Sequence, residues 1–395
     1  MELGIATSDA RAAGRRAPRS RTREGLRRVR RIALVAALVA LIPAAFSYLA
    51  AIAEPSNSSF GIRSVEWLRD HGAAGLVSQV ESIYYSLTAP SKGGPTLRAL
   101  PQVGYEAAGR AGAQRRLAQE LAATPYRPPS VKPVIYPALP GEGIWRTTRA
   151  GLSSSPLLVT TLRNQPEYPR VVTGLAWIDT KRTTVTLNPG RLEPSVTLPR
   201  GSMDVPQASR GRLLATFNSG FKLGDSHGGF ALHGHTYATM QDGKATLVSY
   251  RDGRVDVVDW QNGPQAPTSV EFARQNLPLI VDEGRPSPRL SDGPEWGATV
   301  GNAILVWRSG IGVDRYGNLI YAAGEDQSVR SLADTLAHAG AVRAMELDIN
   351  SYWVSFITYG ASGAGQPANL LAGMNRSASR YLTPDDRDFF AVYAR

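Results

Sequence analysis

Residues 345–350 read Met345-Glu346-Leu347-Asp348-Ile349-Asn350, after a helix-like run from Ser328 to Ala339 and a glycine at Gly340. The segment reads as a buried strand with two carboxylates two residues apart. Side chains alternate across a strand, so Glu346 and Asp348 point to one face. Two acids on one face of an otherwise apolar strand are costly to bury without partners. That cost is tolerated for chemistry, for binding or for a structural ion pair. Reading the segment as a strand puts a sheet at the centre of the fold.

Upstream of it, from residue 143, short β-rich runs alternate with turn residues. They cover 157–162, 171–178, 183–187, 212–217, 229–240, 245–250, 254–259, 277–281, 303–307 and 318–323. Asp242-Gly243, Asp252-Gly253 and Tyr316-Gly317-Asn318 have hairpin-turn composition. One helix, about 328–339, interrupts the pattern. Many strands with few helices predict an α+β domain over 143–395, built on a large mixed or antiparallel sheet. No internal repeat is present.

Six prolines between Pro125 and Pro140 read as an extended linker over 124–142, with a domain boundary there. Before it, 54–123 reads as a helical arm. Residues 62–89 carry Leu76, Val80, Ile83, Tyr84 and Leu87 at spacings of three and four, which makes one apolar stripe. An alanine-rich stretch follows at about 105–123. Glu54 to Ser59 is a polar hinge.

Residues 32–53 are uncharged and mostly aliphatic. At helical rise they match a bilayer core of about 30 Å, and Pro43 is tolerated in a membrane helix. The chain's net charge of +11 is concentrated ahead of this span, since residues 1–31 hold ten arginines against Glu2, Asp9 and Glu24. The positive-inside rule then places 1–31 in the cytoplasm and the main domain outside, in a single-pass cell-membrane topology. A cleaved signal peptide ending at Ala51-Ile52-Ala53 is the rival, but a 22-residue apolar region is long for one. The rest of the chain is close to neutral, which removes the case for a nucleic-acid partner. The sequence holds no cysteine, so disulfides, thiol nucleophiles and cysteine-bound metals are excluded.

Several segments could carry chemistry. Phe217-Asn218-Ser219-Gly220-Phe221-Lys222 follows a strand, and its turn amides and Asn218 suit an anion or a sugar hydroxyl; a plain turn is the alternative. His227, His233 and His235 lie within nine residues, and His233 and His235 would share a strand face, as zinc ligands sometimes do, but no third ligand is obvious nearby. Leu279-Ile280-Val281-Asp282-Glu283-Gly284 ends a strand in two acids, facing a site or simply solvent. Arg308 follows the apolar run 303–306 and precedes a Gly310-Ile311-Gly312 turn. It suits a phosphate or carboxylate, or a buried salt bridge to Glu346 or Asp348. Glu346 and Asp348, or one of them with Asp282, could supply the paired carboxylates of glycoside cleavage; two acids neutralised by arginines is the alternative. No Gly-x-Ser-x-Gly elbow appears.

The order Phe-Asn-Ser-Gly-Phe, Gly-Gly-Phe, Pro-Leu-Ile-Val-Asp-x-Gly, Arg-Ser-Gly-Ile-Gly-Val-Asp and Ala-Met-Glu-Leu-Asp resembles the phosphodiester glycosidase domain over about 155–360. The resemblance implies hydrolysis of a sugar-1-phosphodiester in cell-envelope glycan or exopolysaccharide, with no cofactor and no metal. It carries over Asn218, Arg308 as a phosphate ligand and Asp348; with these, Asp348, Glu346 and Asp282 are read as catalytic residues, and Arg308, Asn218, Gly220 and Gly310 as substrate-binding ones. Ser219, Lys222 and the Ile349-Asn350-Ser351-Tyr352-Trp353 turn depart from the family pattern, where glycines follow the aspartate. Trp353 and Tyr352 could stack on a sugar or pack in the core. Two other readings stand beside this one: a glycan-binding protein that has lost catalysis, and a metal-dependent phosphodiesterase using the histidines and acids.

Overall fold

The computed structural model describes residues 19–101, 103, 126–148, 155–297, 304–360 and 363–395. The alanine-rich stretch at 105–123 lies outside the described residues. The chain divides into two units between Glu54 and Pro55.

The first unit is helix α1 (Arg19–Ala53), with Pro43 inside it. Its Arg27–Ala53 stretch is long and apolar enough to cross a membrane, and an 18-residue window in it has a mean hydropathy of 2.4. Leu34, Leu38 and Ile42 are all exposed, as a lipid-facing helix requires.

The second unit begins with α2 (Phe60–Leu68) and α3 (Ala74–Thr88). Ser59 caps α2 by accepting the Ile62 N–H. The single helix expected over 62–89 is thus two. Gly72, at φ 84°, takes a left-handed conformation that only glycine adopts cheaply, and the helix breaks there.

The strands follow in chain order: β1 (Arg146–Thr147), β2 (Leu157–Leu162), β3 (Thr173–Ile178), β4 (Thr183–Asn188) and β5 (Leu213–Asn218). A short helix, α4 (Leu223–Ser226), precedes β6 (Phe230–Leu232), β7 (His235–Ala238), β8 (Ala245–Tyr250), β9 (Val255–Asp259), β10 (Val270–Gln275), β11 (Leu279–Asp282) and β12 (Arg285–Pro286). Then come β13 (Val306–Asp314), β14 (Leu319–Gln327), helix α5 (Val329–His338), β15 (Ala341–Glu346), β16 (Phe356–Tyr359), β17 (Pro367–Asn369) and β18 (Phe389–Ala394).

Three sheets result: β1-β2-β3-β14-β13-β15-β11-β12, β7-β6-β10-β8-β9, and β17-β16-β5-β18-β4. Every described pairing is antiparallel, so the α+β class with a large antiparallel sheet holds. All three sheets send side chains into one central core; Phe217 sits there 5.0 Å from Phe390 and 5.9 Å from Phe356 between ring centroids. The large sheet is buried on its other face too. Leu158, Leu175, Trp177, Ile320 and Ala322 pack there with Leu332 and Leu336 of α5. Burial on both faces explains why its strands read as continuous apolar runs instead of alternating ones.

Two local expectations change. The run after Arg308 is not a turn, because β13 continues through Arg308-Ser309-Gly310-Ile311-Gly312. A Cβ on Gly310 would lie 2.9 Å from the Met345 carbonyl and 3.0 Å from Leu336, so this glycine exists to let β15 and α5 pack closely. The 229–240 run is two strands, β6 and β7, turned at His233 (φ 52°) and Gly234 (φ 79°). Asp252-Gly253 and Tyr316-Gly317-Asn318 do join paired strands. Asp242-Gly243 turns between β7 and β8, which do not pair.

Candidate active site

Glu346 is the last residue of β15 and lies opposite Gly310 in the ladder. The chain beyond it is stitched to two neighbours. Leu347 N–H donates to the Ser309 carbonyl at 2.8 Å, and Asp348 N–H donates to the Ser219 carbonyl at 3.0 Å. Ser309 Oγ donates to the Asp348 carbonyl at 2.7 Å. Met345 and Leu347 enter the central core, which sends Glu346 and Asp348 to the opposite side together.

Each acid meets its own arginine. Arg308 Nη1 lies 2.6 Å from Glu346 Oε1, and Arg387 Nη2 lies 2.7 Å from Asp348 Oδ2. Glu346 has no solvent exposure, and its Oε2 has no hydrogen-bond partner among the described residues. Burial pushes its carboxyl up to about 7, with Arg308 pulling back. Burial also raises Asp348, against the pull of Arg387 and of the Asn350 N–H, which donates to Oδ1 at 2.9 Å. Asp348 therefore caps its own turn. Ile349 is not among the residues with positive φ, so the turn after Asp348 has a geometry an isoleucine adopts without strain.

Asp348 and Arg387 open onto a cavity of about 750 Å³. The arm supplies one wall with Glu66, Arg69, Glu81 and Tyr85, and the sheet domain supplies Lys222 and Lys244. The wall is held by ion pairs: Arg69 with Glu81 at 2.5 Å and with Glu66 at 3.2 Å, and Lys222 with Glu66 at 2.7 Å and Asp70 at 3.3 Å. Burial works to raise Glu66, but Lys222 wins and holds its carboxyl below the ordinary value. Lys244 differs from the other cations. Its Nζ donates to the Ser226 carbonyl at 2.7 Å and it pairs with no acid among the described residues. Burial alone lowers its pKa.

The structure brings Asp348, Glu346, Asn218, Gly220, Arg308 and Gly310 into one neighbourhood, in unequal roles. Arg308 is spent on Glu346 and on the Trp296 and Gln327 carbonyls, both at 3.0 Å. Asn218 is a clamp. It donates to the Ser219 carbonyl and Ser309 Oγ and accepts from Ser355 N–H and Tyr321 Oη, at 2.9–3.0 Å, which exhausts its amide. Gly220 accepts from Arg387 through its carbonyl at 3.2 Å. Asp282 lies apart, exposed at the end of β11, where the ladder runs toward the start of β15. Trp353 is buried, with the guanidiniums of Arg376, Arg380 and Arg387 5.1–5.2 Å from its ring centroid, so cation–π contacts occupy its faces.

Of the histidines, only His227 lines the cavity. His233 is exposed and bonds Glu271 at 2.6 Å from a turn, so it shares no strand face with His235. Among the described residues no group of three His, Asp or Glu side chains is placed to hold a metal ion.

Sequence reasoning missed Arg387. Its signal is the run Asp385-Asp386-Arg387-Asp388 ahead of the apolar strand β18. Four consecutive charges beside a core strand need partners, and each has one. Asp385 pairs with Arg380 at 2.7 Å, Asp386 with Arg191 at 2.8 Å, Arg387 with Asp348, and Asp388 with Arg274 at 2.8 Å.

No family model and no curated protein matches the chain. Among solved structures it is distantly similar to the zebrafish N-acetylglucosamine-1-phosphodiester alpha-N-acetylglucosaminidase catalytic domain, auto-inhibited by its pro-peptide. The TM-score is 0.40 at 14% identity, over 62% of this chain and 85% of that one. A hypothetical protein from Synechocystis gives 0.38 at 14% identity, over 61% and 63%. An exported protein from Burkholderia pseudomallei gives 0.28 at 10% identity, over 59% and 75%. At these scores the functional reading has to rest on the chemistry around Asp348.

Proposed function

We propose that the protein is a membrane-anchored extracytoplasmic hydrolase that cleaves a sugar-1-phosphodiester in cell-envelope glycan or exopolysaccharide. The observation that carries this reading is the buried Asp348–Arg387 pair at the wall of a 750 Å³ cavity that also holds an unpaired cation, Lys244. An enclosed carboxylate beside cations suits a substrate that develops positive charge at the anomeric carbon while releasing a phosphate. The order of sequence motifs supports the same chemistry.

In this reading water attacks the anomeric carbon, the bond from that carbon to the phosphate oxygen breaks, and a phosphate monoester leaves. Asp348 stabilises the oxocarbenium-like transition state and takes the proton of the attacking water. A phosphate monoester is a weak base, with a second pKa of about 6, so it departs without a strong general acid. It needs cations instead. Lys244 takes the phosphate role that the family pattern gives to Arg308, whose guanidinium is committed to Glu346. Arg387, opposed by Glu66 and Asp225, sets the charge that Asp348 feels.

The test is incubation of the full chain in detergent with a panel of sugar-1-phosphodiesters, reading free sugar. Release by wild type and none by Asp348→Asn is expected. Equal release by the variant removes Asp348 from the chemistry. A second reading, glycan binding without cleavage, is favoured by one feature: both Asp348 oxygens are already engaged. Saturable glycan binding with no product on prolonged incubation would select it.

A further inference from the structure

Helix α3 has two unlike faces. Val77 is buried, and Ser78, Glu81 and Tyr85 line the cavity. On the other side Leu76, Val80, Ile83, Tyr84 and Leu87 are 59–81% exposed. At about 100° per residue these five fall within an arc of roughly 100°. The sequence predicts this stripe, and its ordinary fate is to pack against a core. Here the core-facing side of the helix is the polar one. The only charged residue of α3, Glu81, is spent on Arg69 on the inner side, so the outer stripe is wholly neutral. Phe60, at the start of α2, is 63% exposed as well.

Soluble proteins seldom leave five large apolar side chains contiguous and bare. Chain connectivity says what would cover them. The apolar span of α1 ends at Ala53 and α3 starts at Ala74. That short connection can extend no further than about 70 Å, so a bilayer entered by α1 is always within reach of the stripe. Tethering at that range makes even a weak surface contact persist. A helix with a neutral apolar face carrying a tyrosine, and a polar face turned away, has the form of an interfacial helix.

We propose that α3 lies in the surface of the bilayer that α1 enters, with Leu76, Val80, Ile83, Tyr84 and Leu87 among the lipids. The same helix then walls the cavity from the membrane side. Resting on the hydrolase reading above, the preferred substrate is a sugar-1-phosphodiester whose second ester is a lipid alcohol. Hydrolysis frees the sugar and leaves a lipid phosphate in the bilayer.

The absence of cysteine from the chain makes the surface directly testable. Ile83→Cys, Leu87→Cys and, as a control on the exposed face of α5, Arg330→Cys are each labelled with an environment-sensitive fluorophore. The labelled full chain is reconstituted into phosphatidylcholine–phosphatidylglycerol vesicles containing lipids with a shallow spin-label quencher. Labels at 83 and 87 should be blue-shifted and quenched, and the label at 330 neither. Labels at 83 and 87 that behave like the one at 330 overturn the proposal. So do labels that are shielded but unreachable by the lipid quencher and that crosslink between chains, because a second copy then covers the stripe. For the substrate, Ile83→Glu/Leu87→Glu should keep turnover of a short water-soluble sugar-1-phosphodiester and lose turnover of a polyprenyl phosphate sugar in vesicles. Equal turnover of both by this variant removes the lipid-borne substrate. If wild type cleaves neither, the hydrolase reading fails, while the quenching result still decides the surface.

Discussion

Glu346→Gln asks which of two strong forces wins at the end of β15. Burial opposes the charge, because Glu346 has no exposure and Oε2 has no partner among the described residues. Arg308, 2.6 Å from Oε1, favours it. The balance raises the carboxyl from an ordinary 4.5 to about 7. At about 1.4 kcal/mol per pH unit, that gap costs the folded protein about 3 kcal/mol once the group ionises. The folded value is the raised one, so below pH 4.5 both states are protonated and the stability is fully present. Between there and about 7 the folded state holds the extra proton and stability falls as pH rises; above 7 the loss is complete. Glutamine keeps the shape and cannot titrate. Wild type should therefore lose about 3 kcal/mol against Glu346→Gln between about pH 4 and pH 8, with the background of other groups cancelling in the difference. Urea unfolding of the Pro55–Arg395 unit at both pH values, followed by tryptophan emission, measures this. If Arg308 keeps the carboxyl ionised throughout, the substitution strands a buried guanidinium and costs about 3–5 kcal/mol at pH 8. That result would refute the reasoning.

Two further substitutions separate scaffold from site. Asn218→Leu keeps the branched shape and orphans the buried Ser355 N–H, while the Tyr321 hydroxyl retains the Ser355 carbonyl at 3.3 Å. At about 1–3 kcal/mol for a buried donor left without its acceptor, urea unfolding should show a loss of at least about 1 kcal/mol, and a neutral result would contradict the clamp. Lys244→Ala breaks no ion pair, so stability should change little. It should lower kcat as well as raise KM for a charged phosphodiester, because the departing phosphate gains negative charge in the transition state. Unchanged steady-state kinetics would remove Lys244 from the site.

The sheet was legible because its strands bury both faces, and apolar runs such as Leu157–Leu162 and Leu319–Ala323 have no other use at that length. The strands β10, β16, β17 and β18 were not legible. Arg274 in β10 and Thr358 in β16 interrupt the apolar pattern, and only tertiary partners such as Asp388 explain the buried Arg274. Glycine misled at Gly310 and Gly312. A turn and a close approach of backbone demand the same missing Cβ, and only the positions of Leu336 and Met345 tell them apart. Strand alternation predicts the shared face of Glu346 and Asp348, but the strand expected over 345–350 ends at Glu346, and the bonds from Leu347 N–H to Ser309 and from Asp348 N–H to Ser219 carry the alternation on. Which arginine meets which acid does not, because Arg387 arrives from the far end of the chain.

That pairing explains why two acids on one face differ in use. Glu346 takes its arginine from β13, its immediate neighbour in the sheet, so the pair is sealed beneath α5 and out of the cavity. Asp348 lies beyond the end of β15 and takes its arginine from the chain entering β18, at the seam between two sheets. A seam is where a cavity can open, and the arm closes it with a wall whose cations are already matched. Arg69 is held by Glu66 and Glu81, and Lys222 by Glu66 and Asp70. Matched pairs contribute little net field to a bound anion, since the neighbouring acid opposes each cation at almost the same distance. Lys244 has no such opponent among the described residues, and it is partly withdrawn from water. On the proposed reading, an incoming phosphate finds its strongest unopposed attraction at Lys244, and its sugar faces Asp348 across the cavity.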